Sequence, residues 1–292
     1  VTWDDPAVAG WAALSRPIEV DGERIAVWDL PAVEAERYEP LLIVHGFPTS
    51  SFDYAHLVDR LARHRRVVLS DYVGYGLSAK PDRAYTVARY ADGVMGVTDA
   101  LRLDRVALLT HDLGDTVGGE LLVRQRAGEW AVEVTRRVVT NGSIYMDLVQ
   151  LSTGQELLLS LPDEAVPEGP DVDALAASLV GTLAPGHQGS TSMRAHAELV
   201  AHDGGARLLP RTIRYIEERR KNERRFTGGI EDHDSPLLVA WGPEDPIARA
   251  PMAERLTEVC PDAPLHWIEG AGHYPQLEDP HAWLHAVLPG LE

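Results

Sequence analysis

Cysteine is nearly absent. Cys260 is the only one in 292 residues, so no internal disulfide can brace the chain and its stability must come from packing. Basic charge is scarce too. Against 45 acidic residues stand 27 lysines and arginines, a formal charge of -18, which excludes recognition of nucleic acid or of an anionic membrane through a general basic surface. No apolar run reaches bilayer-spanning length, and Val1-Thr2-Trp3-Asp4-Asp5 has neither the basic region nor the apolar run of a secretory leader. Cytoplasm is therefore the expected compartment.

Phosphate-binding and metal-binding patterns are missing as well. The loop Asp71-Tyr72-Val73-Gly74-Tyr75-Gly76-Leu77-Ser78 is glycine-rich, but only two glycines lie close together, and Ala79-Lys80-Pro81 follows where a helix would have to open. Gly74 and Gly76 are read as tight backbone positions beside a site. His187, His196 and His202 lack metal-like spacing, so neither a metal nor an organic cofactor is expected. The one strong basic run, Arg219-Arg220-Lys221-Asn222-Glu223-Arg224-Arg225, is read as a solvated helical face with acidic partners; its alternative is an anion or nucleic-acid patch.

What is present is an ordinary globular balance, 45% hydrophobic and 25% charged, in a chain long enough for one large core with a substantial insertion. Ile18-Glu19-Val20 and Ile25-Ala26-Val27-Trp28 alternate around Asp21-Gly22 as a hairpin. Leu41-Leu42-Ile43-Val44 is an uninterrupted run of the kind that parallel strands covered on both faces require, and Val67-Val68-Leu69-Ser70-Asp71 is read as another buried strand. Further strands are expected at 105–110, 137–140, 236–242 and 265–268, and helices at 52–63, 86–101, from near Thr116, and at 280–288. Between Ile144 and Ile230 the pattern changes to helical fragments at 157–161, 172–183 and 208–225, with no buried strand. The chain is thus predicted to be α/β, with a mostly parallel central sheet and a helical cap inserted after the strand ending near Asn141. Residues 1–143 and 231–292 would form the core and 144–230 the cap.

The chemistry gathers at strand ends. Val106 to Leu109 delivers Asp112 into a turn followed at once by a helical pattern, the layout of a nucleophile elbow with a carboxylate in place of the usual serine. Asp245 follows the strand ending at Gly242, and His273 lies in Gly270-Ala271-Gly272-His273-Tyr274-Pro275. Each has an ordinary reading, as a helix cap, a turn holder or a loop histidine. Together, in the order nucleophile, acid, histidine and at the carboxyl ends of parallel strands, they point to catalysis.

On these motifs the chain resembles the α/β-hydrolase fold proteins of the epoxide hydrolase and haloalkane dehalogenase superfamily. The matched pieces are His45-Gly46-Phe47-Pro48, Asp71 to Ser78, His111-Asp112-Leu113-Gly114, Asp245, and His273 to Pro280. Within it, His45 to Ser51, His111-Asp112-x-Gly114-Asp115 and His273 to Pro280 most resemble the mesoderm-specific transcript protein family. The resemblance implies Asp112 as nucleophile, His273 as base and Asp245 as the acid that orients it, with the backbone N–H groups of Phe47 and Leu113 as an oxyanion hole. A carboxylate suits attack on saturated carbon, which sets esterase and peptidase readings behind. Before environmental shifts the base would titrate at roughly 6 to 7, with activity falling on the acid side.

Dehalogenases of the superfamily bring tryptophan or asparagine N–H donors to the halide. Here Leu113 and Phe47 occupy those places, and no tryptophan lies between Trp130 and Trp241. Epoxide hydrolases use cap tyrosines to hydrogen-bond or protonate the epoxide oxygen. Tyr215 matches the second of these, and for the first only Tyr145 or a histidine such as His187 is on offer. The expectation is an epoxide hydrolase acting on a small apolar epoxide with water as second substrate. A haloalkane dehalogenase taking an alkyl halide is the alternative, as is a non-catalytic binding protein that keeps the fold. No nucleic-acid or membrane partner is expected, and the oligomeric state, including a homo-oligomer, is open.

Overall fold

A computed structural model describes residues 3–292. After a first helix, α1 (Pro6–Leu14), come β1 (Arg16–Val20), β2 (Glu23–Leu30), β3 (Leu41–Val44), a single turn α2 (Val58–Leu61), β4 (Val67–Ser70), α3 (Val87–Ala100), β5 (Arg105–His111), α4 (Leu113–Arg126) and β6 (Glu133–Thr140). The helical segment follows, with α5 (Thr153–Ser160), α6 (Val172–Val180), α7 (Arg194–Ala201), α8 (Leu209–Thr212) and α9 (Tyr215–Glu231). The chain then returns through β7 (Leu237–Trp241), α10 (Ala250–Val259), β8 (Leu265–Trp267), α11 (Pro275–Glu278) and α12 (Pro280–Leu291).

The eight strands form one sheet in the order β1-β2-β4-β3-β5-β6-β7-β8, with β1 and β2 antiparallel to their neighbours and the rest parallel. Side chains alternate between two cores, as the two-residue period of a strand demands. Leu42 and Val44 of β3, Leu108 of β5 and Val239 of β7 enter the core on one face. Leu41, Ile43, Leu109 and Leu238 enter the one on the other. Each such side chain contributes about 1.5–3 kcal/mol by leaving water, which is why these strands read as continuous apolar runs.

Several elements differ from expectation for local reasons. The helix α1 carries no strong amphipathic signal, but Asp5 caps it by accepting the Ala7 N–H, and Trp11 stacks on Trp28 at 4.7 Å between ring centroids. The stretch after Phe47 forms a 3-10 turn (Ser51–Tyr54) and the short α2 rather than one long helix. The helix α7 was not foreseen. The helix α4 starts at Leu113 and not near Thr116, because the bend at Asp112 leaves no linker.

Close approach of the sheet to α4 depends on Gly114, where an added Cβ would fall 2.1 Å from the Val44 carbonyl oxygen. Gly114→Ala is expected to destabilise the protein by about 3 kcal/mol or more in urea unfolding. A change under about 0.5 kcal/mol, the range of an ordinary surface substitution, would contradict this packing.

Candidate active site

Asp112 stands between β5 and α4 with φ 53° and ψ -113°, a left-handed conformation that a residue with a side chain adopts at a cost of about 1–3 kcal/mol. Such a bend pushes the side chain out of the sheet toward the loops at the carboxyl ends of the strands. Its Oδ2 accepts the Phe47 N–H at 2.8 Å, and its Oδ1 lies 3.9 Å from His273 Nε2. Gly46 makes the approach of the first loop feasible, since a Cβ there would lie 2.9 Å from Asp112 Cβ. Beside it, His45 Nδ1–H donates to the Gly46 carbonyl at 2.8 Å and His45 Nε2 accepts the Tyr72 N–H at 3.1 Å. Burial lowers the pKa of His45 against the raising pull of Asp71, so this histidine braces the turn as a neutral ring. Leu113 opens α4, and the first N–H groups of a helix have no intrahelical acceptor.

His273 Nδ1–H donates to Asp245 Oδ2 at 2.8 Å. Asp245 is held in turn: its Oδ1 accepts the Ile247 and Ala248 N–H groups at 2.7 and 2.9 Å, and its Oδ2 accepts Asn141 Nδ2 at 2.8 Å. Asn141 was legible in the sequence only as the end of a strand. Its amide accepts the Gly242 N–H at 3.0 Å and approaches the Gly272 carbonyl at 3.2 Å, so it ties together the loops that carry Asp245 and His273. Glu278 does the same for the histidine loop and the helical segment, its carboxylate accepting N–H groups from Gly272, Tyr274 and Ala184. His111 Nε2–H donates to the His273 carbonyl at 2.7 Å, and burial keeps its pKa low.

These surroundings move the histidine away from its ordinary titration. Burial alone would depress His273, but the charge and hydrogen bond of Asp245, then the charges of Asp112 and Glu278, reverse this and lift it to about 9. The value of roughly 6 to 7 expected before environmental shifts is thus moved upward, in the direction that favours the imidazolium in the resting protein. A raised folded-state value contributes stability that is fully present below about 6.5, the unfolded histidine value, and is lost as pH climbs through about 9. An NMR titration of the His273 ring should find its pKa well above 6.5 and lower in Asp112→Asn, which removes one of the raising charges. An unchanged value in that variant would remove Asp112 from the electrostatics of the ring.

Tyr215 begins α9, is 1% exposed, and places its ring 5.6 Å from that of Phe47. Burial and the Asp112 charge push its phenol up, while Arg219 pulls it down. The Tyr145 hydroxyl is engaged outside the bend: it donates to Glu231 Oε1 at 2.8 Å, and the Arg255 guanidinium covers its ring. The basic run divides. Arg224 pairs with Glu231 and Asp232, Arg225 pairs with Glu120, and Arg219 is 2% exposed and donates to Thr116. His196 pairs with Asp53 at 2.9 Å, and no metal-binding cluster occurs among the described residues.

A cavity of about 200 Å³ is lined by Phe47, Pro48, His273 and Tyr274 together with Leu158, Leu175 and Leu179, with Leu157 exposed among its lining residues. Among the described residues it is lined by no charged side chain other than His273. A larger groove of about 650 Å³, bordered by Arg136, His233, Cys260 and Pro289, contains none of Asp112, Asp245, His273 and Tyr215.

An eight-stranded sheet of this order, with a bend, an acid and a histidine at the carboxyl ends of its strands, defines an α/β hydrolase. The chain belongs to the alpha/beta hydrolase fold family, whose model matches residues 39–280. It is 33% identical over 260 residues to the putative hydrolase LipZ of Mycobacterium tuberculosis, covering 85% of this chain and 86% of that one. It is 30% identical over 302 residues to the mesoderm-specific transcript protein of Mus musculus, covering 97% and 87%. Among solved structures, a thermophilic esterase from Thermogutta terrifontis shares the fold with a TM-score of 0.74 at 18% identity, covering 94% of this chain and 97% of that chain. No helix among the described residues is long and apolar enough to cross a membrane.

Proposed function

We propose that this hydrolase opens epoxides through an aspartyl ester, with the helical segment 144–230 acting as the cap over the site. The observation that carries the reading is the carboxylate at the bend, one oxygen on the Phe47 N–H and the other 3.9 Å from His273 Nε2. Asp112 Oδ1 attacks a ring carbon; the C–O bond breaks, and the oxygen takes the proton of Tyr215. The new ester leaves its carbonyl oxygen, the former Oδ2, against Phe47. The phenolate then recovers a proton from the His273 imidazolium by way of solvent, which supplies the neutral base. Ester formation also removes the Asp112 charge that helped hold that proton. Water attacks the ester carbonyl while His273 takes its proton, and the oxyanion meets the N–H groups of Phe47 and Leu113. Collapse expels the diol, which takes the proton back from His273. The acid form of Asp112 returns its own proton to the ring, and the starting state is restored.

The nucleophile also argues against an esterase: a carboxylate attacking an ester forms an anhydride, whereas attack on saturated carbon forms an ester that the adjacent imidazole can help water to cleave. The cavity lining, which apart from His273 carries no charged side chain, suits a neutral, apolar substrate. For a dehalogenase the halide would need buried N–H donors, and 131–240 offers no tryptophan. The test is incubation with an aryl epoxide, a bromoalkane and an aryl ester in parallel, following diol, bromide and phenol. Diol from the epoxide at a rate well above the other two is the expected result; bromide release at a comparable rate would transfer the reading to dehalogenation.

A further inference from the structure

We propose that Arg219 is a positioning residue for Tyr215: its buried guanidinium, lying over the phenol ring and anchored to the elbow helix through Thr116, fixes the phenol and offsets the negative charge it gains as it protonates the substrate oxygen. The inference rests on the reading of Tyr215 as proton donor. Its basis is geometric. Arg219 Cζ sits 5.0 Å from the centroid of the Tyr215 ring, one helical turn along α9, and Nε donates to Thr116 Oγ1 at 2.8 Å, one turn past Asp112 on α4. The side chain is 2% exposed, and its second amino group has no hydrogen-bond partner among the described residues. A guanidinium is costly to bury without a carboxylate partner, so its retention there, in a run whose Arg224 and Arg225 pair with acids, calls for a use.

The charges around the phenol supply one. Asp112, Tyr75 and Tyr274 face Tyr215 from the core loops, and Arg219 faces it from α9. Burial raises the phenol first, then Asp112, and Arg219 opposes both. When Asp112 becomes a neutral ester its opposing charge disappears, while the guanidinium remains beside the new phenolate. The cation therefore acts more strongly on the product of ring opening than on the resting state, which is the requirement for lowering the barrier. Asp115, buried near the same charge, forms no ion pair with it among the described residues; its carboxylate accepts the Thr110 hydroxyl.

The experiment follows single-turnover ester formation from an aryl epoxide in the wild type, Arg219→Gln, Arg219→Lys, Thr116→Val and Tyr215→Phe. Arg219→Gln should slow ester formation at least about tenfold. Arg219→Lys should recover most of the rate; Thr116→Val, which keeps the charge but loosens its anchor, should slow the step less than Arg219→Gln. A glutamine variant within twofold of wild type overturns the proposal, as does a lysine variant no better than the glutamine one. Should Arg219→Gln fail to fold, the lysine and valine variants decide on the same criteria, and wild-type behaviour in Thr116→Val rejects the anchor. Full activity in Tyr215→Phe would instead remove the proton donor itself, an outcome distinct from loss in Tyr215→Phe with none in the Arg219 variants.

Discussion

Asp112→Asn is expected to abolish ester formation, lowering turnover of an aryl epoxide at least about 10,000-fold while leaving the fold intact. The substitution is nearly isosteric, and the amide oxygen can still accept the Phe47 N–H that Oδ2 accepts at 2.8 Å. What it removes is the nucleophile. An amide has no charge to place on carbon, and no other carboxylate stands in line: Asp245 is committed to His273, Asn141 and two N–H groups, and Asp115 to Thr110. Thermal unfolding close to wild type together with lost turnover is the expected pair. Turnover within tenfold of wild type would mean that the elbow carboxylate is not the attacking group.

His273→Gln separates the two halves of the reaction. The first step needs only the carboxylate and a proton donor to oxygen, so a single equivalent of epoxide per protein should still be consumed within about tenfold of the normal rate. The second step needs a base for water, and its loss should slow ester hydrolysis by about 100- to 10,000-fold. A covalent adduct should therefore accumulate on the peptide carrying Asp112, visible by mass spectrometry. The 3.9 Å between Nε2 and Oδ1 leaves the ring within reach of a water approaching the ester carbon. If the variant neither accumulates adduct nor turns over, His273 is required for the first step, and the division of labour is wrong.

The elbow was legible because its parts are local: an apolar β-branched strand, a short polar turn and a helix pattern lie within some twenty residues. Asp245 and His273 were legible because each follows a strand with an equally plain signature. Asn141 and Glu278 were not, because they act through N–H and carbonyl groups of loops distant in the chain, and the hydrogen bond from Asn141 to Gly272 spans 131 positions. Arg219 was hidden by its company. A run of arginines and lysines reads as a wet face, yet α9 turns this one member inward while Arg224 and Arg225 meet acids near the surface. Tyr145 was placed by chain position alone, which says nothing of the Glu231 carboxylate that engages its hydroxyl. The histidine's raised pKa depends on three carboxylates brought around one ring by folding, and no single stretch of sequence carries it.

The covalent route can be read directly from a single turnover in water labelled with heavy oxygen. Enzyme in excess over an epoxide, digested after one cycle, should carry the label in the carboxylate of Asp112, because water attacks the ester carbonyl and leaves its oxygen on the protein. The diol from that first cycle should be unlabelled. Label in the diol with none in Asp112 would show that water attacks the epoxide itself, and would contradict the aspartyl ester on which the mechanism is built.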